Sequence, residues 1–175
     1  STSNTDVPRG IEFDSRDNSF WVADQGTNDF IYHYDSNGAN TTGGFYTAGA
    51  GADTPTGIAI DTTDNSFWIL DDIDYVVYHF DSNGANTTGS FNPVAVGGAS
   101  HPYGMAFDAT DNSLWITDAT DDFVYHFNSA GINQTNGFSV FGAGADAPTG
   151  IAFDTTNNSF WITDATDDFV YHFNS

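Results

Sequence analysis

The sequence is dominated by a segment of about 47 residues that occurs four times in tandem. A proline opens each copy at positions 8, 55, 102 and 148, so the spacings are 47, 47 and 46 residues. Other residues recur in step, namely Trp21, Trp68, Trp115 and Trp161; Asp24, Asp71, Asp118 and Asp164; and His33, His79, His126 and His172. Such a period indicates one supersecondary unit per copy, stabilised by stacking on its neighbours. The copies are numbered repeat 1 to repeat 4.

Each repeat has the pattern of short strands joined by tight turns. In repeat 3, apolar runs of four to six residues (YGMAFD, LWITD, FVYHF, GFSVF) are separated by Asp, Asn, Thr and Gly. Runs rich in aromatic and β-branched residues with such borders are typical of β-strands. Asp64-Asn65 and Asp111-Asn112 predict hairpin turns, because Asn and Asp tolerate left-handed backbone. No stretch has a 3.6-residue period, so no helix is predicted.

The apolar runs carry bulky side chains on both faces of the predicted sheets, as at residues 160–162. Blades packed between neighbours have this property. We therefore predict an all-β fold of tandem four-stranded antiparallel β-meander blades of the propeller type. It is either a closed four-bladed ring or part of a larger or polymeric array. A single repeat domain is expected, with blades at 8–54, 55–101, 102–147 and 148–175, the last without its outer strand.

Two stretches resemble the NHL repeat. Residues 18–34 (NSFWVADQGTNDFIYHY) are similar to its second and third strands, and residues 148–154 (PTGIAFD) to its innermost strand. The resemblance covers all four repeats and implies a propeller fold. It implies little about function, since NHL-like propellers serve as scaffolds, RNA-binding modules and enzymes.

The charge is strongly negative. Two arginines and no lysine face 24 acidic residues, all Asp except Glu12, for a net charge of −22. Such a surface repels phosphate, so nucleic acid and anionic lipid are excluded as partners, and no apolar run is long enough for membrane insertion. The absence of Cys excludes disulfides and thiolate zinc sites. Together with the richness in Asn, Thr, Ser and Gly, this composition favours an extracellular or cell-surface location.

Repeat 4 ends directly after its third predicted strand. An open sheet edge is a template for strand pairing. The sequence therefore predicts self-association or pairing with neighbouring repeats. A segment of a longer repeat protein and a complete small ring remain as alternatives.

Glycosylation is the first candidate modification. Asn-X-Ser/Thr acceptors lie in register in the polar loop before the fourth strand, at Asn40, Asn86 and Asn133. An N-linked glycan is expected there if the chain is secreted. Because duplicated repeats inherit the motif, the three acceptors are not independent observations.

A metal site is the second candidate. Aspartates recur in the first turn of each repeat, and the weak candidates for ligands are Asp14, Asp61, Asp108 and Asp154. Turn formation explains these residues equally well, and no known Ca²⁺-loop spacing is present. No metal ligand and no cofactor is therefore assigned, and Ca²⁺ stays open.

The histidines are expected to be structural. Each lies within the third strand of its repeat, so the four are separated from one another, and packing with a local hydrogen bond is predicted. Catalysis is not expected, because the repeats are nearly identical and a functional site normally breaks such symmetry. The divergent segments (residues 25–28, 72–75 and 93–101) hold no nucleophile–base pair. No catalytic residue is assigned.

These observations lead to two alternative functions. The first is a non-enzymatic extracellular structural module that assembles with further copies into a surface structure or filament with a glycosylatable rim. The alternative is a soluble propeller that binds a small ligand or Ca²⁺ at its central channel.

Overall fold

The computed structural model describes residues 7–174, and their contacts divide the chain into two compact halves. The first half ends at Thr88 and the second begins at Gly89. The first half contains the sheet of repeat 1, in the order β1-β2-β3-β4, and that of repeat 2, in the order β5-β6-β7. Its strands are β1 (Pro8–Asp14), β2 (Ser19–Asp24), β3 (Phe30–Tyr34), β4 (Phe45–Tyr46), β5 (Pro55–Asp61), β6 (Ser66–Asp71) and β7 (Val77–Phe80).

The second half repeats this plan. The sheet of repeat 3 has the order β8-β9-β10-β11, and the sheet of repeat 4 has the order β12-β13-β14. The elements are helix α1 (Pro93–Gly97), β8 (Pro102–Asp108), β9 (Ser113–Asp118), β10 (Phe123–Asn128), β11 (Phe138–Ser139), β12 (Pro148–Asp154), β13 (Ser159–Asp164) and β14 (Phe169–Asn174). None of the helices formed by residues 7–174 has the length and apolar character needed to span a membrane.

The predicted hairpin turns are confirmed. Asn65 and Asn112 have φ angles of 70° and 62°, and Asn18 and Asn158 repeat this left-handed geometry at the same position. Asn adopts this backbone region more readily than most residues, because its short polar side chain bonds locally. The turn residue therefore determines where the first strand of each repeat reverses into the second.

The expectation of no helix is wrong: residues 7–174 form two 3-10 helices of three residues each, Ala48–Ala50 and Phe141–Ala143, and one short α-helix. Where a fourth strand of repeat 2 was expected, the chain forms the short helix α1. The Asn92 side chain caps its first turn by accepting a hydrogen bond from the Ala95 N–H at 2.9 Å, and Pro93 occupies the first helical position. Both are strong helix-start signals. In this divergent segment the Asn-Pro start signal outweighs the strand pattern of the repeat.

In each half, the core lies between two consecutive sheets. The Trp21 ring of repeat 1 contacts the Phe67 ring of repeat 2 with centroids 4.5 Å apart, and Trp115 of repeat 3 contacts Phe160 of repeat 4 at 4.8 Å. Ile58 and Ile60 complete the first contact and are 2% exposed. Large aromatic contacts of this kind dominate the energetics of small cores.

The first strands of consecutive repeats approach each other at a glycine. A Cβ atom built on Gly104 of β8 would lie 2.0 Å from the Thr149 carbonyl oxygen of β12. The Thr117 hydroxyl donates a hydrogen bond to the same carbonyl at 3.0 Å. Gly10 stands in the same relation to the Thr56 carbonyl of β5, at 2.4 Å. The recurring glycine is therefore required by backbone contact between the two sheets.

The substitution Gly104→Ala tests this contact. The added methyl group has no room, so we expect a loss of about 1–3 kcal/mol in the free energy of unfolding, the usual cost of overpacking. Gly142→Ala is the matched control, because a Cβ atom there meets nothing within 4 Å. Urea denaturation followed by tryptophan fluorescence measures both variants. Equal stability of the two would contradict the account.

Candidate functional site

A buried aspartate ends the second strand of every repeat and binds two backbone segments at once. In repeat 3, one oxygen of Asp118 accepts from the N–H groups of Thr120 (2.9 Å) and Asp121 (2.8 Å) in the following turn. Its other oxygen accepts from the N–H groups of Ser100 and His101, both at 2.7 Å, in the segment that enters the repeat. Asp24, Asp71 and Asp164 have the same role. We call these four residues the strand-end aspartates.

The strand-end aspartate of repeat 4 has a strongly lowered pKa. Burial of Asp164 would by itself raise the pKa of its carboxyl group. The N–H groups of Asp167 and Ala147, both at 2.8 Å, and the Thr166 hydroxyl outweigh burial and lower the pKa to about 2. Donors that stabilise the anion have this effect. Asp164 therefore stays negatively charged at any ordinary pH.

Two further carboxylates lie beside Asp164. One oxygen each of Asp146, Asp164 and Asp167 lie within 4.8 Å of one another. Within residues 7–174 this is the only group of three or more acidic, His or Cys side chains close enough to share a metal ion. The Thr166 hydroxyl bonds both Asp146 and Asp164, and the Tyr171 hydroxyl donates to Asp167 at 2.8 Å. We call Asp146, Asp164 and Asp167 the acidic cluster.

The cluster produces a negative potential that reaches its surroundings. Partial burial raises the pKa of Asp122, in the turn before β10 of the same half, and the charges of Asp146 and Asp164 raise it further. A nearby like charge favours the neutral form of a carboxyl group. A cation at the cluster would relieve this repulsion.

Comparison of the repeats explains why the cluster forms in repeat 4. The position of Asp146 is held by Asp53 in repeat 2 and by Ser100 in repeat 3. The position of Thr166 is held by Ile73 in repeat 2, so no hydroxyl there holds Asp53 beside the strand-end aspartate. In repeat 3 the Ser100 hydroxyl donates to Asp121 at 2.8 Å. Among the second to fourth repeats, only repeat 4 combines the aspartate with the threonine.

The four weak metal candidates lie elsewhere. Asp14 forms an ion pair with Arg16, with an oxygen–nitrogen distance of 2.6 Å, and this side chain lowers the pKa of Asp14. The other three each accept both the N–H and the hydroxyl of a threonine two residues later: Asp61 from Thr63, Asp108 from Thr110 and Asp154 from Thr156. In the described chain each closes its own turn, and none belongs to the acidic cluster.

The structural role predicted for the histidines is confirmed. In repeat 3 the His126 ring stacks on Trp115 with centroids 3.8 Å apart, and its two nitrogens bond Ser113 and Asn136, each at 2.6 Å. The same stacking on tryptophan and bonding to serine occurs at His33, His79 and His172. Each ring is therefore engaged within its own sheet.

The three glycosylation candidates differ in access. Asn40 and Asn86 are exposed, but Asn133 is half-buried and its amide nitrogen donates to the Gly97 carbonyl at 3.1 Å. A glycan is attached at that nitrogen, so Asn133 is the least accessible of the three.

Sequence reasoning overlooked Glu12. The other repeats have Ala59, Ala106 and Ala152 at its position, so Glu12 breaks the repeat symmetry in the first strand of repeat 1. Burial raises the pKa of Glu12 to about 7, although the N–H of Ile60 in the neighbouring sheet opposes the shift. The signal was available in the sequence, as the only glutamate among 24 acids.

No protein-family model and no curated protein sequence matches this chain. Solved structures do match. They include nidogen in its complex with laminin, with a TM-score of 0.69 and 20% identity over 97% of this chain and 61% of nidogen. The fold is that of a β-propeller. Virginiamycin B lyase from Staphylococcus aureus, in an inactive form with quinupristin, matches with a TM-score of 0.64 and 18% identity over 99% of this propeller-type chain and 58% of the lyase.

A third propeller of this kind is regucalcin from Agrobacterium tumefaciens, described as a calcium-binding protein. Its TM-score is 0.66 and its identity 14%, over 95% of this chain and 60% of regucalcin. The chain thus spans about three fifths of the length of each of these three propellers.

The structural comparisons correct two expectations. A non-enzymatic module that builds a surface structure or filament was the first reading, and catalysis was not expected. Both expectations are wrong, because the solved propellers that this chain resembles include an enzyme, the lyase. The symmetry is incomplete: Glu12 stands where the other repeats have alanine, and among repeats 2 to 4 only repeat 4 combines the aspartate at position 146 with the threonine at position 166.

The raised pKa of Glu12 predicts a pH dependence of stability. Because the folded pKa (about 7) exceeds the ordinary value (4.5), this group's contribution to stability is complete below pH 4.5 and is lost as the pH rises through 7. Thermal unfolding of the wild type and of Glu12→Gln from pH 4.5 to 8 should diverge, with the wild type losing stability relative to the variant. Glu12→Ala, which restores the residue of the other repeats, should behave like Glu12→Gln. Parallel profiles for wild type and variants would show that Glu12 titrates normally.

Proposed function

We propose that this propeller-type chain binds a divalent cation, Ca²⁺, at the acidic cluster. The observation that carries the proposal is the convergence of Asp146, Asp164 and Asp167 on one point, with one oxygen each within 4.8 Å of the others. Three like charges at this separation repel one another, and a cation bound between them removes the repulsion.

The chemistry of the cluster favours Ca²⁺ over transition metals. The groups identified at the cluster offer oxygen: three carboxylates, and the hydroxyl groups of Thr166 and Tyr171 that bond to them. Ca²⁺ takes six to eight oxygen ligands in flexible geometry, whereas Zn²⁺ and Cu²⁺ prefer imidazole and thiolate. Asp146 and Asp167 are exposed, so water can complete the coordination. The net charge of −22 further raises the local concentration of cations.

The structural comparison is consistent with this assignment. Regucalcin, described as a calcium-binding protein, shares the fold. At 14% identity this likeness supports the scaffold and leaves the ligand residues to be argued from the cluster itself.

Metal-dependent catalysis is the second candidate. The observation that favours it is the presence of virginiamycin B lyase among the propellers of this fold. A cation held by carboxylates at an exposed site can polarise a carbonyl oxygen of a bound substrate. An assay of quinupristin, the compound present in the lyase structure, with CaCl2 and with chelator tests this candidate.

Three finer assignments are also proposals. The repeats are of the NHL-like type, on the resemblance at residues 18–34 and 148–154. The chain functions outside the cell or at its surface, as its composition indicates. Asn40 and Asn86 then carry N-linked glycans, in preference to the half-buried Asn133. An intact mass equal to that of the bare polypeptide, measured on secreted material, would exclude the glycans.

The substitution Asp146→Ser tests cation binding. Serine is the natural residue at this position in repeat 3, so the variant should fold. For a site with Kd on the order of 10⁻⁴ M, 10 mM CaCl2 stabilises the wild type by about 2.7 kcal/mol. Thermal unfolding with 10 mM CaCl2 and with chelator should show an upward shift of several degrees in the wild type and little or none in Asp146→Ser.

The matched control is Asp53→Ser, which removes the equivalent exposed carboxylate of repeat 2. It should retain the full response to Ca²⁺. If the wild type shows no response, or if Asp53→Ser and Asp146→Ser lose it equally, the cluster is not the site.

A further inference from the structure

Consecutive repeats pack through two unlike faces. One face, which we call the trailing face, carries the tryptophan: Trp21, Ala23 and Ile31 in repeat 1, and Trp115, Thr117 and Val124 in repeat 3. The opposite face, the leading face, carries a phenylalanine and two apolar residues of the first strand: Ile58, Ile60 and Phe67 in repeat 2, and Ile151, Phe153 and Phe160 in repeat 4. In each half, the trailing face of one repeat packs on the leading face of the next.

The trailing face of repeat 4 is exposed. Trp161 is 48% exposed and Val170 50%, whereas their equivalents in repeat 3, Trp115 and Val124, are 8% and 0% exposed. Trp161 nevertheless has the same orientation relative to its histidine, with the two rings stacked at 4.3 Å. The exposed Trp161 therefore stacks on its histidine in the same way as the packed Trp115 does.

The leading face of repeat 1 is exposed as well. Ile11 is 66% exposed and Phe13 49%, whereas Ile58 and Ile60 at the same positions of repeat 2 are each 2% exposed. The Phe13 and Phe20 rings lie 5.2 Å apart. These two rings are equivalent to a pair of phenylalanine rings in repeat 4 on which a tryptophan packs.

That pair is Phe153 and Phe160 of repeat 4, whose rings lie 4.9 Å apart. Trp115 contacts them at 6.5 Å and 4.8 Å, respectively. Phe13 and Phe20 thus form a ring pair of the same kind, and Phe13 is exposed. We call each of these two ring pairs a socket.

We propose that the trailing face of repeat 4 docks on the leading face of repeat 1 of a second copy of this chain. The partner is identified by the chain itself, because it carries both the exposed tryptophan and the socket that fits it. The contact within the second half supplies the template: Trp161 would enter the socket of Phe13 and Phe20 as Trp115 enters that of Phe153 and Phe160.

Polar groups support the same pairing. In the template the Thr117 hydroxyl donates to the Thr149 carbonyl at 3.0 Å. Thr163, the equivalent of Thr117, is exposed and faces the position where the Arg9 carbonyl of the second copy would lie. The glycine required for this close approach is present as Gly150.

The two faces that would pair are unlike, so the pairing is head to tail. Pairing of two identical faces would place socket against socket or tryptophan against tryptophan, so the interface is heterologous.

A mixing experiment tests the proposal. Ile11→Lys places a charge on the leading face and leaves the trailing face intact, and Trp161→Glu does the reverse. Masses in solution are measured by light scattering after size exclusion, from about 1 to 100 μM, in 0.3 M NaCl to screen the net charge. We expect the wild type to exceed the mass of one chain as the concentration rises, and each variant alone to have the mass of one chain.

The decisive sample is the equimolar mixture of the two variants. Each variant still has one intact face, so the mixture should contain particles of two chains and no larger ones. Val170→Glu serves as a second trailing-face variant in case Trp161→Glu fails to fold. Ile73→Lys is the control, because Ile73 is 72% exposed in the turn between β6 and β7 and belongs to neither face; it should assemble like the wild type.

Three results would overturn the proposal: a wild type with the mass of one chain over the whole range, variants that assemble as the wild type does, or a mixture that keeps the mass of one chain. The first result would mean that another occupant, such as further repeats of a longer polypeptide, covers these faces.

Discussion

The carboxylate that ends the second strand of each repeat is the interaction on which the remaining structure depends. It binds the turn that follows and the segment that enters the repeat, so the strand order and the path between repeats are fixed by one buried anion. Four N–H groups converge on Asp118, and three N–H groups and a hydroxyl on Asp164. Burial of a carboxylate is tolerated because these donors replace water. In repeat 4 the same anion, joined by Asp146 and Asp167, is the centre of the proposed cation site.

Much of the fold is predictable because it is local. Strand runs and the left-handed Asn turns follow from residue types a few positions apart, and the engagement of each histidine follows from the pairing of the second and third strands of its repeat. Helix α1 was missed because its Asn-Pro start signal was overruled by the repeat pattern. The acidic cluster was missed because Asp146 and Asp167 lie far apart in the chain and meet only through the strand-end aspartate. Proximity of that kind is a property of the sheet pairing and cannot be seen in the spacing.

Small departures from symmetry carry the functional content of the chain. Glu12 replaces the alanine of the other repeats and has a raised pKa, and among repeats 2 to 4 only repeat 4 combines an aspartate at the position of Asp146 with a threonine at that of Thr166. The recurring faces determine the packing within each half, and the leading face of repeat 1 and the trailing face of repeat 4 are exposed. The proposed cation site therefore depends on a combination of residues in repeat 4, whereas the proposed self-association depends on faces that recur from repeat to repeat.

The central claim is that repeat 4 holds a cation between Asp146, Asp164 and Asp167. A crystal structure of the protein grown in CaCl2 tests it most directly. The account predicts an ion bound by oxygens of all three residues at about 2.3–2.6 Å, the usual range for Ca²⁺. Ordered Asp146, Asp164 and Asp167 side chains with no ion between them would contradict it, as would a Ca²⁺ ion bound instead at the turns of Asp14, Asp61, Asp108 or Asp154.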